Sequence, residues 1–139
     1  MQYKIIKEKQ QQEVNAFPLG FAFSKDQFKK MMENWGLTEN DTDKIYSIGA
    51  GGYVQKKDAE RMNEMFERNT KEHLNYMFTD DEYAYTAFKY ELYNHEYAYT
   101  GELEDTLDSL LIDINDLTKD NNRLLNILRQ AKRDILSEE

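Results

Sequence analysis

The sequence predicts an α+β fold that is mostly α: a compact single domain of five or six helices with one short β-hairpin. Three observations predict it. Apolar residues recur every three or four positions through most of the chain, the spacing of an amphipathic helix. Two short runs of β-forming residues flank a glycine cluster at 49–52, the signature of a hairpin. The composition, 139 residues with one proline, six glycines and 13% aromatics, departs from both disordered chains and turn-rich all-β chains. A chain of this length can bury a core without staples, and it has no cysteine for a disulfide or a thiolate metal site. No linker divides it, so residues 1–139 read as one domain, with 1–16 as a peripheral helix.

Residues 2–16 favour a polar helix anchored by Ile5, Ile6 and Val14, with a strand over 3–6 as the alternative. Pro18 interrupts, and the apolar run 19–23 reads as a buried strand. Ser24 is a natural N-cap with Gln27 three positions on, as in a capping box; Phe28, Met31, Met32 and Trp35 follow at helical spacing and Gly36 closes the helix. Polar residues 38–43 lead into the hairpin, whose runs 44–48 and 53–55 are joined by Gly49, Gly51 and Gly52. Asp58 caps a long helix to about Phe78, with Ala59, Met62, Met65, Phe66, Asn69, His73, Tyr76 and Met77 in one stripe. A second capping box, Thr79 to Glu82, opens a helix to about Tyr97 with Ala84, Phe88, Leu92 and His95 on one face. Thr100 caps a helix bearing Leu103, Leu107, Leu110 and Leu111, and a last helix carries Leu124, Leu125, Ile127, Leu128, Ala131, Ile135 and Leu136. Trp35, Phe21, Phe23, Phe28, Ile45, Ile48, Phe66 and Phe88 are the expected core. The run EYAYT occurs at 82–86 and again at 96–100, too few copies for a repeat architecture.

Charge is concentrated. The net charge is −9, yet residues 80–120 alone hold twelve acidic residues against Lys89 and Lys119, so the rest of the chain is nearly neutral. Such a field repels nucleic acid and speeds encounter with a cationic surface, so no direct nucleic-acid binding is expected. The stretch is either a solvated helical face or a docking surface built from Asp80, Asp81, Glu82, Tyr83, Glu102, Asp105, Asp108, Asp113 and Asp116. Glu102, Asp105 and Asp108 recur every three residues and so track a sloping stripe on a helix. No apolar run approaches the roughly 20 residues of a membrane span, and the N-terminus lacks the apolar centre of a signal peptide. No membrane association and a cytoplasmic location are expected.

Glu91, Asn94, His95 and Glu96 form the densest polar cluster. Glu91 and His95 are four apart and share a helix face, which suits a structural contact. A zinc site would need more donors: HExxH is absent, and the other histidine, His73, falls on a different helix. Neither a metal, a cofactor nor a catalytic residue is assigned. Gly49, Gly51 and Gly52, followed by Lys56 and Lys57, resemble a phosphate loop only superficially, because GxxxxGK[ST] and GxGxxG are both missing. A turn with positive φ explains them. Tyrosines 83, 85, 90, 93, 97 and 99 divide between core packing and a protein-binding patch. The methionines at 31, 32, 62, 65 and 77 are core filler. The seam of the last helix, residues 117, 121 (Asn), 124, 128, 131 and 135, packs on the domain or forms a homodimer.

Several runs together, FAFSKDQF (21–28), DTDKIYSIGAGGYVQKKDA (41–59), YELYNHEYAYT (90–100), DTLDSL (105–110) and RLLNILRQAKR (123–133), resemble a family of small uncharacterised proteins carried by phages, plasmids and conjugative elements of Firmicutes. GAGGY and NHEY are its anchor segments. The chain departs from the family pattern at Leu111 and Ile112, where a Gly-Leu-Thr turn is expected. The resemblance implies a mobile-element context and no reaction. The expected function is non-enzymatic: binding and inhibition or modulation of a host or element protein through the acidic, Tyr-rich surface, in the manner of anti-defence proteins such as CRISPR inhibitors. The partner would carry a basic surface, as a nucleic-acid-binding host defence protein does. One alternative is a structural or accessory protein of replication or transfer machinery. Another is a small metal-dependent enzyme centred on Glu91 and His95.

Overall fold

The computed structural model describes residues 1–138 and has the mostly helical α+β architecture the periodicity predicts. In chain order the elements are α1 (Tyr3–Ala16), β1 (Leu19–Phe21), α2 (Lys25–Asn34), β2 (Ile45–Gly49), β3 (Gly52–Gln55), α3 (Ala59–Thr79), α4 (Asp81–Asn94), α5 (Tyr97–Thr100), α6 (Glu104–Ser109) and α7 (Lys119–Ser137). Short 3-10 turns at Thr42–Lys44, Lys56–Asp58 and Asp116–Thr118 precede β2, α3 and α7. The chain divides into two compact units: residues 11–69 form one, and residues 1–10 with 70–139 form the other. Helices α1 and α3 each contribute to both. Among the described residues no helix is long and apolar enough to cross a membrane.

The unit of residues 11–69 is built on a three-stranded antiparallel sheet in the order β1-β3-β2. The expected hairpin is present, and β1 adds a third strand that the sequence left unpaired. Ala50 and Gly51 make its two-residue turn with φ of 51° and 74°, the left-handed pair of a type I′ turn. Gly51 is needed twice over, because a Cβ there would also strike the Phe23 ring. Helix α2 starts as expected: Ser24 Oγ accepts from Gln27 N at 3.2 Å, and Gln27 Oε1 accepts from Phe23 N at 2.7 Å. It ends in a Schellman motif on Gly36, with Leu37 N bonded to Met32 O at 2.8 Å.

The buried cluster of this unit is Ala22, Met31, Met32 and Ile45, with Phe28, Trp35, Leu37 and Tyr53 partly buried against it. Four residues expected in the core are instead exposed: Phe21, Phe23, Ile48 and Phe66. Strand alternation is the reason for the first. Gly20 faces Met31 of α2 and Trp35 at its C-cap, so its neighbour Phe21 emerges on the other face, opposite the bare Gly52. Phe23 lies against Gly51 and is otherwise exposed, and Ile48 sits over Gly52 at the hairpin tip. Phe66 flanks the buried stripe of α3, which runs through Met62, Met65, Asn69 and His73.

The other unit buries a larger core that includes Tyr3, Ile6, Met77, Tyr83, Phe88, Leu92, Leu110, Leu124, Leu128 and Ile135. Helices α4 and α7 pack on each other, so the seam of α7 is consumed inside the chain. A homodimer through that seam is therefore not what the apolar spacing encodes. Two boundaries also differ from expectation. The N-cap of α4 is Asp80, which accepts from Tyr83 N at 3.0 Å, whereas Thr79 closes α3 by donating to Asn75 O. Helix α4 stops at Asn94, because Glu96 adopts φ 54°, and the second EYAYT copy forms the separate α5. Before the right-handed part of α7, Asp120, Asn121 and Asn122 all take positive φ, residue types that tolerate it best.

Helix α6 ends in a Schellman motif like that of α2, with Ile112 N bonded to Leu107 O at 3.0 Å, but its left-handed residue is Leu111 at φ 58°. This is the position where the resemblance calls for glycine. Leu111→Gly is expected to raise stability by about 0.5–1 kcal/mol, since relief of the left-handed strain exceeds glycine's unfolded-state entropy. Urea unfolding of the variant beside the parent measures it.

Candidate functional site

The polar cluster is organised by α4, which carries Glu91 into the core at 1% exposure. Glu91 Oε1 accepts from the Tyr3 hydroxyl at 2.7 Å and from Lys7 Nζ at 3.2 Å. Its Oε2 accepts from Asn94 Nδ2 at 3.3 Å and stands 3.4 Å from His95 Nε2. The Glu91 carbonyl receives the Thr106 hydroxyl at 3.3 Å, which ties α6 to α4. Burial opposes charge on Glu91, but the Tyr3 hydrogen bond and the Lys7 cation outweigh it and hold the carboxyl below its usual value. Burial and the neighbouring carboxylate push the Tyr3 phenol far up, so it stays a donor.

Beside it, His73 bonds the Tyr83 hydroxyl through Nδ1 and the Leu110 carbonyl through Nε2, each at 2.7 Å. A carbonyl can only accept, so Nε2 carries the proton and the neutral ring accepts from Tyr83 at Nδ1. Burial lowers the His73 pKa from its usual 6.5, partly offset by the Leu110 bond. The unfolded chain therefore binds the extra proton first. The stability this neutral histidine contributes is complete above pH 6.5 and is lost as pH falls toward the folded value. The unfolding free energy from urea titrations is expected to fall between pH 7 and pH 5 with a slope of up to about 1.4 kcal/mol per pH unit, and His73→Phe is expected to flatten that slope.

The structure thus joins Glu91, Asn94 and His95 but not Glu96, which is exposed and breaks the helix. It adds Tyr3, Lys7, Thr106 and Ser109, which no local pattern announced. Ser109 Oγ lies 2.8 Å from His95 Nε2, the same nitrogen that faces Glu91. A serine relay needs the acid on one imidazole nitrogen and the hydroxyl on the other, so this Ser–His–Glu set has the wrong arrangement for one. The cluster's chemistry is that of a cross-brace between α1, α4 and α6. No group of three or more His, Asp or Glu among the described residues could hold a metal ion.

The acidic residues separate into two classes. Asp80 and Glu82 pair with the Met1 amino group at 3.1 and 3.0 Å, and Asp81 pairs with Arg123 at 2.6 Å. Tyr83 is 1% exposed and belongs to the core, which removes it from any docking surface. Asp116 pairs with Lys119, and its carboxylate accepts from Asp113 N while Asp113 Oδ1 accepts from Asp116 N. These two acids therefore shape the loop before α7. Glu102, Glu104, Asp105 and Asp108 are different: all are exposed, and none has a cation partner among the described residues. Tyr99, at 88% exposure, and Ile114, at 73%, flank them along the chain, with Leu111 and Tyr93 also exposed.

A family model covers residues 2–134, from the residue before Tyr3 through nearly all of α7. The chain belongs to DUF7659, a family of unknown function. The match takes in both units, every member of the Glu91 cross-brace and the acidic segment. No curated protein and no solved structure matches the chain.

Proposed function

We propose that this DUF7659 member is a non-enzymatic binding protein that inhibits or modulates a protein with a basic surface through the segment from Glu96 to Ile114. The observation that carries the reading is the absence of lysine and arginine between residues 90 and 118, together with exposed Tyr99 and Ile114 amid unpaired acids. Charge provides steering and the apolar side chains provide contact area that holds once docked. A mobile-element origin and a nucleic-acid-binding host defence protein as partner complete the proposal. The accessory-protein alternative is weaker, because the α7 seam that would support oligomerisation is buried within the chain.

The test is affinity capture from host lysate with the parent chain and with Glu102→Gln, Asp105→Asn and Asp108→Asn combined. A partner retained by the parent is expected to be lost with the triple variant and in about 0.5 M salt, because exposed charges are screened beyond roughly 3–5 Å there. Circular dichroism is expected to show both chains equally folded. A partner that survives both changes overturns the reading.

A further inference from the structure

In the sheet order β1-β3-β2, β1 and β2 are both edges, and they differ in how they are protected. β1 has three residues and begins directly after Pro18, which has no N–H to donate. β2 has five, Ile45–Gly49; its pairing is regular over Ile45–Ser47 and irregular between Ser47 and Gly49, four of its residues are exposed, and it holds no lysine or proline. An edge of that kind is a template for another strand unless something covers it.

Beside β2 runs a groove of about 690 Å³ lined by Tyr46 and Ser47 on one side and by Ala59, Glu60, Met62, Asn63, Glu64 and Glu67 of α3 on the other. Consecutive strand residues point to opposite faces, so a groove touching both Tyr46 and Ser47 follows the strand's edge. Its helical wall is acidic, with glutamates at 60, 64 and 67, at the spacing that shares a helix face. The one cation of the lining, Lys56, holds its Nζ over the Tyr46 ring, 5.0 Å from the centroid. Met62 supplies the apolar floor at 8% exposure.

We infer that this groove takes an extended, basic peptide segment of a partner protein, which adds a fourth strand to the sheet against β2 and sets lysine or arginine side chains against Glu60 and Glu64. Main-chain hydrogen bonds to the edge supply affinity, and the acidic wall supplies selectivity. A second copy of this chain is disfavoured, because isologous pairing of β2 with β2 would bring the same glutamates together. The groove shares no residue with α5 and α6, and its occupancy stands or falls independently of the acidic segment.

The probe is a set of hexapeptides alternating lysine or arginine with valine or isoleucine, each made also with alternate backbone nitrogens methylated. Saturable binding below about 1 mM is expected for the unmethylated peptides, with slowed hydrogen exchange at residues 45–49. Methylation is expected to abolish it while leaving peptide charge unchanged. Glu60→Lys with Glu64→Lys, both exposed positions, is expected to weaken binding about tenfold or more while lowering the thermal midpoint by no more than a few degrees, since Glu60 lies in the first turn of α3. Methylated peptides that bind equally well, binding with no exchange change in β2, or no binding across the set each overturn the inference. So does a chain that dimerises through β2 in sedimentation and exchange measurements.

Discussion

Glu91→Ala is expected to destabilise the protein by about 2–4 kcal/mol, because it leaves the buried Tyr3 hydroxyl without its acceptor and opens a cavity, whereas the exposed Lys7 ammonium regains water. The change strips the Tyr3 hydroxyl and Asn94 of their acceptor and leaves the Lys7 ammonium without its carboxylate. At roughly 3–5 °C per kcal/mol for a chain of this size, the thermal midpoint falls by about 6–20 °C. Glu91→Gln keeps the shape and an acceptor for Tyr3 and is expected to lose only about 1–2 kcal/mol. Combining Glu91→Leu with Tyr3→Phe removes both polar partners, so the double variant is expected to recover much of what Glu91→Leu alone loses. Acid reports on the same group. Its carboxyl is held below the usual 4.5, so its contribution is complete above pH 4.5 and disappears as pH falls through the folded value. Glu91→Gln is expected to be less sensitive to pH in that window. A Glu91→Ala chain within about 1 kcal/mol of the parent would mean the cross-brace stabilises nothing.

Phe88→Ala is the second large effect, at about 3–5 kcal/mol, because it empties an aromatic volume from a fully buried position on α4. The loss combines removal of apolar surface from contact and a cavity that α4 and α7 cannot both close around. Phe88→Leu retains most of the volume and is expected to lose about 1 kcal/mol. Guanidinium unfolding followed by far-ultraviolet circular dichroism separates the two variants. Equal losses for alanine and leucine would show that the ring's shape, not its volume, is what the core uses.

Much of the fold was legible because it is local. The Ser24 and Gln27 caps and the Gly36 stop act within one turn of chain, and the hairpin turn places Gly51 at the positive φ that glycine permits. Helical stripes such as Met62, Met65, Asn69, His73 and Met77 follow from a period of 3.6 that neighbours do not alter. In the candidate site, the Glu91 to His95 contact was legible for the same reason, being one helical turn long.

What tertiary structure alone decided lies between residues far apart. Tyr3 meets Glu91 across 88 positions, and Arg123 neutralises Asp81 across 42, so a string of like charges split into paired acids and free ones. Spacing cannot register such a split, because an acid's charge in the field depends on which cation the fold brings to it. The same holds for Phe21 and Phe23: their run reads as core, but burial needs a covering element, and α2 covers only the Gly20 face of the sheet. By itself the sequence determined the hairpin turn, the helical stripes and where the charge resides along the chain. Packing decided which carboxylates remain free to meet a partner and which edge of the sheet is left open, since both depend on contacts between segments that local chemistry does not connect.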